Sequence, residues 1–265
     1  MGCVLFLIGK FSLMFSSKLI KFLPVTVLFI IGLILFFCFK TSVDLSYWYL
    51  IIWIKLFLLV QFCGAYFIGL NFHLNSVNSL NTNEKKVLLT FDDGPHNPNT
   101  PKVLEVLKKH NAKAVFFLIG KNIAGNEAIV KQIASEGHLV GNHSFSHHNF
   151  IDLWSAKKVR ADFIECQKLI HAFQPSSKLF RPPYGVTNPN IAKAVKQLGL
   201  QSIGWNIRSY DTSIKDIEKI KHRILSQLKP GAIILLHDRL DFMPDLLESL
   251  IPAIKDKGYE FADKI

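Results

Sequence analysis

Residues 86–95 read Lys86-Val87-Leu88-Leu89-Thr90-Phe91-Asp92-Asp93-Gly94-Pro95. The apolar run at its start has the length and composition of a buried strand, and Gly-Pro closes it with a turn. Between them stand two adjacent carboxylates, which repel each other unless each finds a cation or a hydrogen-bond donor. A metal ion and an arginine would together satisfy both. Downstream lie His143 and His147 at metal-ligand spacing, an arginine at Arg181 and an isolated histidine at His237.

Working outward, apolar runs alternate with amphipathic stretches. Strands are predicted over 87–90, 114–119, 138–141, 179–181, 202–206, 232–236 and 259–262. Helices are predicted over 101–110, 126–136, 155–173, 189–198, 213–228 and 243–257. Such alternation implies an α/β fold, a parallel sheet with helices outside it. Seven strands suit a small, imperfect barrel better than a full eightfold one. The chemically capable residues all follow strands: Asp92 and Asp93, His143, Arg181 to Tyr184, Asp211 and His237. In parallel β/α folds that end of the sheet carries the active site.

The chain before this domain differs in kind. Residues 1–81 hold five Lys, no Arg and one acidic residue, whereas 82–265 hold 26 Lys plus Arg against 19 Asp plus Glu. We divide the chain at residue 81, where the polar stretch 75–81 reads as a linker. Residues 22–39 are uncharged and match the bilayer core in length; 47–70 form a second apolar span with aromatic residues at its start. Lys55 inside the second span costs about 2.5–3.5 kcal/mol on insertion scales, which its apolar neighbours offset. The short loop 40–46 makes the pair a transmembrane helical hairpin. Lys10, Lys18 and Lys21 precede the first span, so the positive-inside rule places the N-terminus in the cytoplasm. Met1 to Phe15 has neither the length of a third span nor the cleavage site of a signal peptide.

A pI of about 9.5 raises nucleic-acid binding, but the charges are dispersed and no nucleic-acid motif is present. A lysine-rich solvated surface is the simplest account of the charge. Cys3, Cys38 and Cys63 lie in apolar stretches and Cys166 is alone in the second part, so no disulfide framework forms there.

His143-Ser144-Phe145-Ser146-His147 places two imidazoles four residues apart, on one face if the segment makes a helical turn. Asp93 would complete two histidines and one aspartate, leaving a fourth position open as catalytic zinc sites do. Arg181-Pro182-Pro183-Tyr184-Gly185 is a proline-stiffened turn after a short strand. It reads either as a rigid connection or as a pocket wall whose arginine meets a carboxylate. Leu235-Leu236-His237-Asp238 ends a strong strand, and its histidine could exchange protons near neutral pH. Asp211 is its candidate partner, with Asp238 and Asp241 read as loop residues and His148 as a bystander.

Together, TFDDG, HSFSH, RPPYG and LLHD resemble the polysaccharide deacetylase family, the carbohydrate esterases that share the NodB homology domain. The resemblance covers residues 85–262 and implies a distorted (β/α)7 barrel. It implies Asp92 as base, Asp93, His143 and His147 as ligands of a divalent metal (zinc, with cobalt or nickel as alternatives) and His237 as acid. It further implies that Arg181 orients Asp92, that Asp211 orients His237, and that the Tyr184 N–H serves the oxyanion. Pro183, Trp205 and Leu235 would then line the substrate groove. One motif departs from the family: Trp205-Asn206-Ile207-Arg208-Ser209-Tyr210-Asp211-Thr212 has Arg208 and Thr212 where an aspartate and a tryptophan are common.

The expected function is a membrane-anchored N-deacetylase of N-acetylglucosamine-containing glycans that releases acetate. The alternatives are an O-acetyl esterase or amidase on the same scaffold, or a non-catalytic glycan-binding protein. Expected partners are the acetylated glycan and the bilayer, with no nucleic acid and no protein partner implied. Two spans would leave the domain in the cytoplasm by charge, yet such glycans lie mostly outside. The reading adopted is a multi-pass protein of the inner or plasma membrane with an extracytoplasmic catalytic domain.

Overall fold

The computed structural model describes residues 22–40 and 46–265. Lys10, Lys18, Lys21 and Cys3, the stretch Met1 to Phe15 and most of the 40–46 loop lie outside them. The chain divides into two compact units after Tyr66.

The first unit contains α1 (Phe22–Lys40) and α2 (Tyr47–Tyr66). Phe29 stacks on Phe57 with ring centroids 4.0 Å apart. Trp53 Nε1 donates to the Phe29 carbonyl at 3.3 Å. Gly32 faces the Trp53 indole so closely that a Cβ there would lie 2.6 Å from the ring. Large apolar side chains are exposed on both helices, among them Leu28, Ile34, Phe37, Trp48, Ile52 and Phe62. Among the described residues one helix, Tyr47–Tyr66, is long and apolar enough to cross a membrane; the first contributes the shorter stretch Val25–Lys40. The second apolar segment stops being α-helical at Tyr66 instead of running to residue 70. Phe67 is extended, and Ile68–Leu70 form a single 3₁₀ turn.

The second unit, Phe67–Ile265, is a curled parallel sheet with helices outside. Its elements in chain order are β1 (Ser76–Val77), β2 (Lys86–Gly94), α3 (Asn99–Lys109), β3 (Ala114–Leu118), α4 (Gly120–Ile123), α5 (Glu127–Ser135) and β4 (Leu139–Asn142). They continue with α6 (Ala156–His171), β5 (Leu179–Phe180), α7 (Pro189–Leu198), β6 (Gln201–Ile203), β7 (Ile207–Arg208), α8 (Ile217–Ser226), β8 (Ala232–His237), α9 (Met243–Asp256) and β9 (Glu260–Phe261). The strand order is β1-β6-β5-β4-β3-β2-β8-β7, with β9 also pairing β2. All seven expected strands are present. Two short ones join them, so the half-barrel has nine strands and its ends β1 and β7 each pair on one side. Both additions are two residues long, too short to carry a periodic signal. One lies in the stretch read as a linker: Ser76 and Val77 pair with Ser202 and Ile203, and the Ser76 and Ser202 hydroxyls lie 2.7 Å apart.

Alternation along the strands decides what reaches the interior. Val87, Leu89 and Phe91 of β2, Ala114, Phe116 and Leu118 of β3, and Ala232, Ile234 and Leu236 of β8 pack outward with the helices in one large core. Leu88, Val115, Phe117, Ile203 and Ile233 form the inner core. The residues in step with them, Thr90 and Asp92 on β2 and Leu235 and His237 on β8, therefore share the inward face.

Helix boundaries follow side-chain chemistry. Asn188 caps α7 by accepting from the Ile191 N–H at 2.8 Å, Pro189 occupies its first turn, and Gly199 ends it in the left-handed conformation. Helix α8 starts later than expected because Asp216 caps it, accepting from the Lys219 N–H at 3.1 Å.

Candidate active site

The site is built at the C-terminal ends of β2, β4, β5 and β8. Successive residues of a strand point to opposite faces, so Asp92 and Asp93 should not both face the interior. A bulge resolves this. Asp92 pairs with Phe117 and Gly94 with Leu118, so Asp93 is the extra residue, and its φ of 74° lies in the left-handed region. Bulges re-aim a side chain in this way beside functional sites. Asn122 on α4 donates to the Asp93 carbonyl at 3.0 Å and fixes the kink.

The histidines arrive differently from expectation. Residues 143–147 form an irregular loop, not a helical turn, with Ser144 at φ 65° and His147 at φ 46°. Asp162 holds the loop by accepting from the Phe145 N–H at 2.9 Å and the Ser146 N–H at 3.1 Å. The N–H groups of Gly120 and Lys121 on α4 donate to the Ser144 and Phe145 carbonyls. A Cβ at Gly120 would lie 2.6 Å from the Phe145 ring, so this close approach requires glycine.

His143 Nδ1 lies 2.8 Å from the Arg181 carbonyl oxygen. A carbonyl only accepts, so Nδ1 carries the proton and the Nε2 lone pair is free. That Nε2 lies 3.7 Å from Asp93 Oδ1, and His147 Nε2 lies 3.4 Å from the same oxygen. The three ligand atoms all fall within 4.8 Å of one another. Bonds of about 2.0–2.2 Å to a tetrahedral zinc separate ligand atoms by roughly 3.4 Å, so the donor set fits such an ion. The carbonyl behind His143 is the outer support that metal-bound histidines commonly use. Burial and the neighbouring His143 push the His147 pKa down to about 4, which keeps its imidazole neutral at physiological pH. Burial acts to raise the Asp93 pKa, but His143, His237, His147 and Arg239 outweigh it and hold the carboxyl below its ordinary value.

Asp92 is buried, and its Oδ1 accepts from Arg181 Nη1 at 2.8 Å. Arg181 is wholly buried. Its Nη1 also donates to Thr90 Oγ1 at 2.7 Å, its Nε to the Ile203 carbonyl at 3.0 Å and its Nη2 to the Gly204 carbonyl at 2.8 Å. One residue thus anchors Asp92 by its side chain and His143 by its backbone. On the other wall, Asp211 accepts from His237 twice: the backbone N–H at 2.8 Å and ring Nδ1 at 2.9 Å. Burial acts to lower the His237 pKa, yet Asp211, Asp92 and Asp93 raise it above the ordinary value.

Tyr184 has a φ of 59°, its ring lies 4.5 Å from that of His147, and its hydroxyl donates to Asn149 at 2.8 Å. Pro183 and Gly185 beside it are buried. Trp205 packs against Gly185, where a Cβ would collide with the indole, and lies 5.5 Å from the Arg181 guanidinium. Leu235 is on the inward face two residues before His237 and is buried.

Arg239 and Thr90 complete the site without having been anticipated. Arg239 Nε donates to Asp93 Oδ2 at 2.9 Å. Nothing in the sequence marks Arg239, which follows the strand-ending motif as an ordinary loop residue. Thr90 was legible: it precedes Asp92 by two, so strand alternation puts both on one face. Asp238, read as a loop residue, is buried; its Oδ2 accepts from Thr100, and burial drives its pKa up to about 7.

Comparison with known proteins gives a consistent result. The sequence profile described as polysaccharide deacetylase matches residues 79–203. A peptidoglycan-N-acetylglucosamine deacetylase of Bacillus cereus is 36% identical over 184 residues, covering 68% of this chain and 66% of the relative. The peptidoglycan-N-acetylmuramic acid deacetylase PdaA of Bacillus subtilis is 34% identical over 186 residues, covering 68% of this chain and 70% of its own length. A crystal structure of a peptidoglycan N-acetylglucosamine deacetylase superposes with a TM-score of 0.66 at 35% identity, covering 71% of this chain and 89% of that one.

Proposed function

Because this chain belongs to the polysaccharide deacetylase family, enzymes that hydrolyse N-acetyl amides, we propose that it removes acetyl groups from N-acetylglucosamine-containing glycans of the cell wall and is anchored to the membrane by its N-terminal helices. The observation that carries the reaction is the division of labour between neighbouring carboxylates. Asp93 turns Oδ1 to two histidines, while Asp92 is held on a buried arginine.

A divalent metal, zinc by its donor set, held by Asp93, His143 and His147 would activate a water and polarise the acetamide carbonyl. Asp92 takes the proton of the attacking water. Arg181 fixes its Oδ1, leaving Oδ2 to act. Among the described residues the Tyr184 backbone N–H has no hydrogen-bond partner, which suits it to donate to the oxyanion as it forms. The amine is a poor leaving group until protonated, and His237 supplies that proton. Pro183, Trp205 and Leu235 shape the groove.

Acetate release from an N-acetylglucosamine oligomer tests this reading. It should stop when a chelator strips the metal and return when zinc is added back; release that persists after full metal removal would contradict the assignment. The pH dependence supplies a second test. His237 must be protonated to act as the acid, so activity falls as pH rises through its elevated pKa. Asp211→Asn removes the partner that raises this pKa and should move the alkaline limb of the kcat profile to lower pH. An unmoved limb would remove Asp211 from the role.

The two-span hairpin rests on the apolar exposure of both N-terminal helices and their mutual packing. Continuous apolar surface of this extent suits lipid rather than water. We place the catalytic domain outside the cytoplasm, where cell-wall glycans lie. A reporter fused after Ile265 that is active only in the cytoplasm should stay dark; activity would reverse the orientation.

A further inference from the structure

Resting on the deacetylase reading, we propose that Arg208 reads a carboxylate on the glycan, so that the enzyme selects acidic sugars over neutral ones. Alternation puts Arg208 on the inward face of the sheet. Ile207 packs outward in the main core, and Arg208 lies in register with Leu235, one inward position below His237. It belongs to an alternating stack that starts at the catalytic residues. The Arg181 guanidinium lies 5.5 Å from the Trp205 ring centroid, and Arg208 lies 6.0 Å from the same ring. Tyr210 follows, 5.0 Å from Arg208 and 4.5 Å from Arg223.

Trp205 and Tyr210 neighbour the Arg208 guanidinium as cation–π partners, contacts that do not use its N–H groups. Among the described residues it has no carboxylate partner, and its side chain makes no hydrogen bond. The other arginines of the stack are committed: Arg181 to Asp92 and three further acceptors, Arg223 Nε to the Arg208 carbonyl at 2.9 Å. A half-buried guanidinium beside two aromatic rings, with no hydrogen bond of its own, can still offer its planar fork to a carboxylate. The Trp205 and Tyr210 rings beside it offer stacking surface for the sugar. Arg208 shares the inward face of the sheet with Asp92 and His237, one inward position below His237. The carboxylate is therefore carried either on the ring that loses its acetyl group, as in a lactyl ether, or on the neighbouring ring.

The test compares three tetrasaccharides on the full chain in detergent. The first is neutral N-acetylglucosamine; the second alternates N-acetylglucosamine with N-acetylmuramic acid; the third is the second with its carboxylates amidated. Acetate release gives kcat/KM, and calorimetry on the Asp92→Asn variant gives Kd without turnover. The wild type should favour the acidic tetrasaccharide over both others. Arg208→Gln should cut that preference by about 10- to 100-fold, the range for a hydrogen bond to a charged group. Arg208→Lys, which keeps charge but loses the fork, should recover part of it. Mass spectrometry of the product identifies the deacetylated ring and separates the two sources of the carboxylate. Equal binding of the acidic and amidated substrates by Asp92→Asn, or an unchanged kcat/KM preference in Arg208→Gln, would overturn the proposal. Selective binding without acetate release from any substrate would instead overturn the deacetylase reading and leave carboxylate recognition standing.

Discussion

Asp92→Asn should lower acetate release by about 10²- to 10⁴-fold, the usual contribution of a general base, while the protein still binds zinc. The substitution is isosteric, and an amide oxygen can still accept from Arg181 Nη1, so the buried network survives. The donors that converge for a metal, Asp93 Oδ1 and the two imidazole Nε2 atoms, do not include Asp92. Activity and metal affinity should therefore separate: kcat collapses, and the zinc dissociation constant, read by chelator competition, changes little. Asp93→Asn should do the reverse first, weakening zinc and losing activity as a consequence. Turnover by Asp92→Asn within a few-fold of wild type would remove it as the base.

Arg181→Met should lower stability by about 3–5 kcal/mol, the range for removing one member of a buried ion pair. The loss is large because the methionine fills much of the volume yet leaves four acceptors without their donors. These are Asp92 Oδ1, Thr90 Oγ1 and the carbonyls of Ile203 and Gly204. The buried Asp92 carboxylate would lose its guanidinium partner. Thr90→Val, which removes one of those acceptors and fills its space, should cost far less, about 1 kcal/mol. Thermal unfolding midpoints of the two variants test the contrast. His143 is held by the Arg181 backbone carbonyl, which any side chain at 181 retains. Zinc affinity of folded Arg181→Met should thus fall less than its turnover. Equal midpoints for Arg181→Met and Thr90→Val would mean that the guanidinium is not the hub its hydrogen bonds describe.

How much of this was legible depended on the range over which each signal acts. The strands around 87–90, 114–119 and 232–236 are runs of apolar residues buried on both faces, a pattern that survives without tertiary context. Helix α7 is bounded by Asn188, Pro189 and Gly199, each acting through its own backbone, and its ends were read without error. Strands β1 and β7 had no such signal. Ser76–Val77 is a strand because β6 offers it an edge, and Ile207–Arg208 because β8 does. The two histidines were read as neighbours on a helical turn. They do meet, but through a loop held by Asp162, a residue of α6 with no motif of its own.

By itself the sequence determined the parallel α/β class, the order of the elements and which residue types could form a metal hydrolase. Those rest on hydrophobic periodicity and local backbone chemistry, which the chain carries wherever it goes. It also marked Asp92 and Asp93 as a pair in need of two different partners. Only the tertiary structure decided how the partners are shared. Strand alternation would have turned the two carboxylates apart, and the bulge at Asp93 turns them back together. Which Asp93 oxygen faces the histidines, which one Arg239 takes, and that Arg181 holds both Asp92 and His143 are matters of a few tenths of an ångström between segments far apart in the chain. Sequence spacing has no term for such distances; the packing of the half-barrel sets them.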